Sequence, residues 1–216
     1  MNPAFLKASA MPDVQSTLDK RALPIEQVGI RGVRHPLTIR SKTGNFPSVG
    51  TFEMDVALPA HVKGTHMSRF MALLQKQDQA VDSTTVVALV REMLPLLDAK
   101  EGHVQFTYTH FVKKAAPVSG VESLMDYEVT WMATAKQNAA GASDVELGLR
   151  AQVPVMSLCP CSKEISEFGA HNQRSHVTMT VTLDSATQMT VEDLVAAAES
   201  EASSELWGLQ IGRAHV

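Results

Sequence analysis

Thr51-Phe-Glu-Met-Asp-Val-Ala-Leu58 alternates apolar and polar side chains with a period of two. This pattern is typical of a half-buried antiparallel strand that turns one face to a hydrophobic core. Two helices are predicted directly after it, from Met67 to about Gln75 and from Ser83 to about Ala99, because apolar residues recur there at helical spacing. A helix pair after such a strand indicates helices packed on a sheet.

The rest of the chain supplies more strands and one more helix. Strand patterns occur at 36–40, 104–112, 126–133, 145–155 and 176–183. A last helix is predicted from Thr190, which resembles a capping box together with Asp193. Residues 1–34 show weak periodicity and are predicted to form an extended arm. This order predicts an α+β fold with helices on one face of an antiparallel sheet.

Composition narrows the function classes. The 216 residues are 44 % hydrophobic, which is enough for one large domain or two small ones. A net charge of -4 argues against a nucleic-acid-binding protein, which usually needs a basic surface. No apolar run approaches the roughly 20 residues that cross a bilayer, and no signal peptide is evident at the start. The sequence therefore predicts no membrane partner and a cytoplasmic location.

The two cysteines, Cys159 and Cys161, are separated only by Pro160. A disulfide across so short a gap is badly strained. In a cytoplasmic protein, a metal ligand or a reactive thiol is the better interpretation. Because proline stiffens the loop, the two sulfurs are expected to face different directions, so that one binds a metal while the other stays free.

A polar loop surrounds these cysteines. It lies between two apolar strands and also carries His171, whose imidazole, like a thiolate, suits zinc or a similar divalent metal. A cluster of chemically active side chains disfavours folding and therefore suggests a site. The alternative is that the cysteines are small hydrophobes and that His171 is a structural histidine.

The last helix offers a possible oxygen ligand. Leu194, Ala198, Glu201, Glu205 and Leu209 recur at helical spacing, which places both glutamates near an inward-facing stripe. An inward carboxylate needs a partner or a metal. Alternatively, three alanines form the buried face and the glutamates lie at its solvent edge. We leave both interpretations open for Glu205 and favour the solvent edge for Glu201.

These residues resemble a known family, type IB GTP cyclohydrolase I, the prokaryotic form that starts folate synthesis. The resemblance is carried by two parts of the polar loop, Cys159-Pro-Cys-Ser-Lys-Glu-Ile-Ser and Gly169-Ala-His-Asn-Gln-Arg-Ser175. Further similar segments are Met11-Pro-Asp-Val-Gln15, Gly64-Thr-His-Met-Ser-Arg-Phe70, Ala116-Pro-Val-Ser-Gly120 and Met125-Asp-Tyr127.

The resemblance implies a tunnelling fold in two tandem halves, 35–120 and an incomplete 121–210, assembled as a homotetramer. It implies that GTP is converted to 7,8-dihydroneopterin triphosphate and formate, with a divalent metal (zinc, manganese or iron) as cofactor. Cys159 matches the family's metal-ligand cysteine, His171 a metal-proximal histidine and Cys161 a second active-site cysteine. Glu205 aligns with a glutamate ligand. The family's guanine-anchoring glutamate aligns past the end of this chain.

The triphosphate of GTP needs cations. His66, Arg69, Lys113 and Lys114 are the candidates, although each could equally be a solvated surface group.

Two other functions compete with the cyclohydrolase. One is a nitrile reductase of the same fold superfamily, in which a cysteine attacks the substrate, but the paired loop motifs resemble the cyclohydrolase instead. The other is a non-catalytic module stabilised by zinc. Structural zinc sites usually have four protein ligands, so two cysteines would have to recruit histidines.

The last six residues, 211–216, read Ile-Gly-Arg-Ala-His-Val and back-translate to a common sequencing-adapter read. We interpret them as a non-native tail and expect the natural protein to continue beyond Gln210. On this interpretation, the 216-residue chain is expected to be much less active than a longer counterpart.

Overall fold

The protein is described by a computed structural model over residues 17–165, 167, 172–184 and 189–207. The strands are β1 (Ile25–Ser41), β2 (Gly44–Leu58), β3 (Glu101–Ala115), β4 (Glu122–Gln137), β5 (Ser143–Leu158), β6 (Asn172–Leu183) and β7 (Ser204–Glu205). The helices are α1 (Met67–Gln75), α2 (Ser83–Leu96), α3 (Pro160–Ile165) and α4 (Val191–Ser200).

Strands β1 to β6 form one antiparallel sheet in chain order, and the short β7 pairs with β5. Helices α1 and α2 connect β2 to β3, and α4 follows β6. The predicted α+β class is therefore confirmed. The predicted boundary between halves, at residue 120, falls in the turn between β3 and β4, and hydrogen bonding continues across it. The two halves themselves remain a prediction.

One face of the sheet carries the core. Along β3, Val104, Phe106 and Tyr108 are buried, as the period of two requires. Phe106 stacks on Phe52 of β2 with ring centroids 4.7 Å apart. The helices cover this same face, because the buried residues of α1, α2 and α4 belong to the same hydrophobic cluster as these strand residues.

Capping residues fix where the two longer helices begin. At α4, the hydroxyl of Thr190 accepts the amide of Asp193, and the Asp193 carboxylate accepts the amide of Thr190, so the predicted capping box is confirmed. At α2, Asp82 and Thr85 form the same reciprocal pair. Both helices therefore start at defined points on the sheet. Within the described residues, no helix is long and apolar enough to cross a membrane.

The first strand starts earlier than the sequence pattern predicted. It begins at Ile25 rather than near Pro36, so residues 25–34 belong to the sheet and not to an arm with little structure. The register slips between Ile25 and Val28 and again between Ile30 and Val33. Each such bulge shifts the alternation of apolar and polar residues by one position, which hides the period of two.

The last helix is shorter than predicted. It ends at Ser200, and the chain then forms β7, so Glu205 is not on the helix. Ser203 and Ser204 favour this ending, since serine competes with helical hydrogen bonds in other conformations. Glu201 is the residue that caps the helix and is exposed, as the solvent-edge interpretation expects. The predicted tail at 211–216 and the arm segment 11–15 lie outside the described residues.

Candidate active site

The two cysteines lie where β5 ends. Cys159 follows the last residue of the strand, and Pro160 opens α3, a position where the fixed backbone angle of proline suits a helix start. The carbonyl of Cys159 accepts hydrogen bonds from the amide of Lys163, at 3.2 Å, and from the hydroxyl of Ser162, at 3.1 Å. The backbone at Cys159 is thus held at the strand–helix junction.

The cysteines differ in exposure, and they form no disulfide. Cys159 is half-buried, whereas Cys161 is exposed on the short helix. The surroundings of the two cysteines thus differ, and the expectation that their sulfurs face different directions stays a prediction. A half-buried thiolate fits a metal ligand, and an exposed thiol is accessible to a bound substrate.

His171 lies outside the described residues, but its neighbour in sequence is informative. Asn172 opens β6 and pairs with Leu158, the residue before Cys159. The polar loop thus begins and ends at paired positions of two adjacent strands. Within the described residues, no three His, Cys, Asp or Glu side chains are grouped as metal ligands. The three-ligand site therefore stays a prediction, although the donor chemistry of Cys159 fits a zinc-like metal.

Glu205 lies in β7, where it pairs with Val155 of β5, four residues before Cys159. Its carboxylate accepts a hydrogen bond from Nζ of Lys114 at 2.8 Å. Glu205 was suggested as an oxygen ligand because of its helical spacing in the sequence. The structure does not support that argument, because α4 ends at Ser200, before Glu205. The carboxylate instead meets a lysine.

This lysine organises a set of side chains that we call the Lys114 cluster: Lys114, Tyr127, Glu199 and Glu205. Besides Glu205, Nζ of Lys114 contacts Glu199 at 2.6 Å, and both of these side chains are only about a tenth exposed. The hydroxyl of Tyr127 donates to Glu199 at 3.0 Å. Burial and the negative charge of Glu199 raise the pKa of Tyr127 far above its ordinary value, so its phenol remains a donor.

The Lys114 cluster was missed in the sequence, where Lys114 was only a candidate for the triphosphate. The alternation of core-facing and solvent-facing residues along β3 could have revealed this cluster. Val104, Phe106, Tyr108 and His110 all face the helices, and Lys114 follows on the same face of β3. A lysine at a core-facing position requires a carboxylate partner from the helix layer.

The candidate substrate-binding residues have separate surroundings. His66 directly precedes α1, and the guanidinium of Arg69 donates to the carbonyl of Leu96, at the end of α2, at 3.0 Å. Lys113 pairs with Glu122 across the turn between β3 and β4. Arg69 and Lys113 are thus both engaged within the fold, and their predicted contacts with a triphosphate remain predictions.

Comparison with known proteins identifies relatives over almost the whole chain. A family model described as type I GTP cyclohydrolase folE2 matches residues 11–210. A GTP cyclohydrolase FolE2 of Polynucleobacter asymbioticus is 91 % identical over 209 residues, which cover 97 % of this chain and 77 % of that protein. Proteins of the same name from Paraburkholderia phymatum and Cupriavidus necator are 53 % and 52 % identical, each over 97 % of this chain and 74 % of theirs.

Replacing Lys114 by methionine is expected to lower the free energy of unfolding by about 3 kcal/mol, because it leaves the buried Glu199 carboxylate without its cation. Lys113→Met is the matched control. This neighbouring side chain is 51 % exposed, so its loss is expected to cost less than about 1 kcal/mol. Urea unfolding of both variants provides the measurement. Equal losses would show that the Lys114 cluster adds no stability beyond a surface ion pair.

Proposed function

The chain belongs to the type I GTP cyclohydrolase FolE2 family, and we propose that it is a GTP cyclohydrolase I acting in the cytoplasm. The proposed reaction converts GTP and water to 7,8-dihydroneopterin triphosphate and formate, the first step of tetrahydrofolate biosynthesis. The family match over residues 11–210 is the observation that carries this proposal. The named relatives also favour a cyclohydrolase over a nitrile reductase or a zinc-stabilised module.

The proposed cofactor is a divalent metal (zinc, manganese or iron), held by Cys159 and His171. Such a metal, when bound, acts as a Lewis acid and lowers the pKa of water. The position of Cys159 supports this assignment. Its thiol is half-buried at the strand–helix junction, and the β5–β6 pairing brings the two ends of the loop together at Leu158 and Asn172.

The third proposed ligand is the carboxylate of Glu205. For Glu205 to supply the oxygen, its carboxylate would have to leave Nζ of Lys114, which lies 2.8 Å away. If Glu205 moves away, Lys114 still has Glu199 as its ion-pair partner, so the buried lysine is not left unpaired. We therefore propose that Glu205 exchanges Lys114 for the metal and serves as the oxygen ligand.

The ring-opening step also needs a proton. Water adds to C8 of guanine and one of the two bonds from C8 to nitrogen breaks, which leaves a formamide. A second water then cleaves the other bond and releases formate, and the later closure of the pterin ring returns one water. Each leaving nitrogen must be protonated as its bond to C8 breaks. Cys161 and His171 are the proposed donors, since a general acid must reach the leaving atom. The exposed thiol of Cys161 is accessible to a bound nucleotide. His66, Arg69 and Lys113 are the proposed contacts of the triphosphate.

We further propose that the protein is a homotetramer, as the family resemblance implies. Within the described chain, β1 and β6 are the outer strands of the sheet, and on the outer edge of β1 only Ile39 is paired, in a single bridge with Val81. Such edges invite pairing with another chain. Light scattering is expected to give the mass of four chains, and a stable monomer with cyclohydrolase activity would contradict the proposal.

Cys159→Ala is expected to lose both bound metal and formate release, because a methyl group cannot replace a thiolate ligand. Cys161→Ala is the matched control two residues away. It is expected to keep the metal while formate release slows by about 100-fold, the contribution of a general acid. Metal content and GTP-dependent formate are measured on the same samples.

Normal metal occupancy and turnover in Cys159→Ala would refute its role as a ligand. An unchanged rate in Cys161→Ala would reduce that residue to a packing role. Because the metal analysis is independent of turnover, the ligand assignment is tested even at low activity.

A further inference from the structure

Arg174 is a cation close to the loop that carries the two cysteines. It is near the start of β6, two residues after Asn172, and it pairs with Met156 of β5. Cys159 follows Met156 by three residues, which corresponds to about 10 Å along the strand at roughly 3.3 Å per residue. Arg174 therefore lies on the strand next to β5, near the candidate metal ligand.

Alternation along β6 places Arg174 on the face of the sheet that the helices leave open. Val177, Met179 and Val181 are half-buried and pack against the core. Arg174 is exposed and lies an odd number of residues before them, so its side chain stands on the opposite face. The guanidinium is thus accessible to a ligand from solvent.

The guanidinium of Arg174 is not neutralised by the protein. Among the described residues, no ion pair includes it. Its neighbours on the open face are Met156, opposite it on β5, and His176, two positions along β6, and neither is acidic. Glu164 and Glu167, the acidic residues of the loop, form no ion pair with it. An arginine that keeps its charge beside a candidate active site favours an anionic ligand there.

The other cations considered for the triphosphate are less available. Arg69 donates to a backbone carbonyl, and Lys113 pairs with a carboxylate across a turn. Lys114 is held by two glutamates, one of which is Glu205 on the far side of β5 from β6. Glu205 is thereby paired as well and does not leave an open negative charge. Of these cations, Arg174 combines a free guanidinium with a position next to the cysteine loop.

We infer that Arg174 binds the triphosphate of GTP and makes the site prefer a nucleoside triphosphate over the nucleoside. This inference rests on the proposed cyclohydrolase function. The ribose separates the guanine ring from the phosphates, so a cation that binds the phosphates has to lie beside the metal ligand and not at it. Arg174 has such a position, and its planar guanidinium can donate two parallel hydrogen bonds to one phosphate.

The non-hydrolysable nucleotide 7-deaza-GTP tests this binding apart from turnover. A carbon replaces N7 in this compound, so hydrolysis cannot open the ring. Calorimetry on the full chain compares it with 7-deazaguanosine, which has no phosphates. Wild-type protein is expected to bind the triphosphate more tightly than the nucleoside.

Arg174→Gln is expected to weaken binding of 7-deaza-GTP by about 10- to 100-fold, the contribution of charge-assisted hydrogen bonds, and to leave binding of 7-deazaguanosine unchanged. Arg174→Lys keeps the charge but loses the planar fork, so it is expected to recover part of the loss. The matched control is Arg150→Gln. Arg150 is an exposed arginine on the same face, bonded to Thr180 and about 20 Å along β5 from Met156, and its loss is expected to change neither affinity.

The inference is overturned if Arg174→Gln binds 7-deaza-GTP as tightly as the wild type does. It is also overturned if both compounds lose affinity by the same factor, which indicates a structural effect, or if Arg150→Gln loses as much, which indicates a general effect of charge. Formate release from GTP by the wild type tests the proposed function separately. Release of formate together with an unchanged affinity in Arg174→Gln refutes the inference alone.

Discussion

The apolar face of one long antiparallel sheet has to be covered, and the rest of the structure depends on how this is done. Burying apolar surface is the main favourable contribution to folding. The residues that provide it are contiguous from Met54 on β2 to Leu149 on β5, with Phe70 of α1, Val90 of α2 and Leu194 of α4 against them. The sheet is therefore held as one layer, and the end of β5 has a fixed position.

Polar contacts then set the position of α4. At its first turn, Oε1 of Glu192 lies 3.2 Å from Nε2 of the buried His110. Burial raises the pKa of Glu192, but hydrogen bonds from His110, Ser41 and the Lys42 amide outweigh this effect and hold it at about 2. At its last turn, Glu199 contacts Lys114. The first and the last turn of α4 thus both contact β3. The segment after the helix therefore lies beside β5, where it forms β7.

The sequence predicted the parts of the fold in which local pattern and tertiary environment agree. The strand ending at Leu58 and the helix Met67–Gln75 have regular periodicity and were predicted with the right type. The start of β1 was missed because bulges break its alternation, and bulges depend on the partner strand. Glu205 was placed on a helix because its spacing from Leu194 is helical, although pairing with β5 decides its conformation.

The candidate site was proposed from the sequence for a different reason. Cys159 and Cys161 stand out by residue type, and chemically active side chains in a short loop can be recognised without knowing the fold. Pro160 predicts sulfurs that face different directions, and in the structure the two cysteines differ in exposure. In contrast, Lys113 and Lys114 look alike in the sequence, and only the face of β3 on which each lies separates a surface ion pair from a buried one.

X-ray absorption spectroscopy of the zinc-loaded protein tests most directly whether one cysteine, Cys159, holds the metal. The expected spectrum has a single sulfur at about 2.3 Å and otherwise nitrogen or oxygen at about 2.0–2.2 Å. Two sulfurs would make Cys161 a ligand as well and contradict the division of roles between the cysteines. A spectrum without sulfur would contradict the metal site itself.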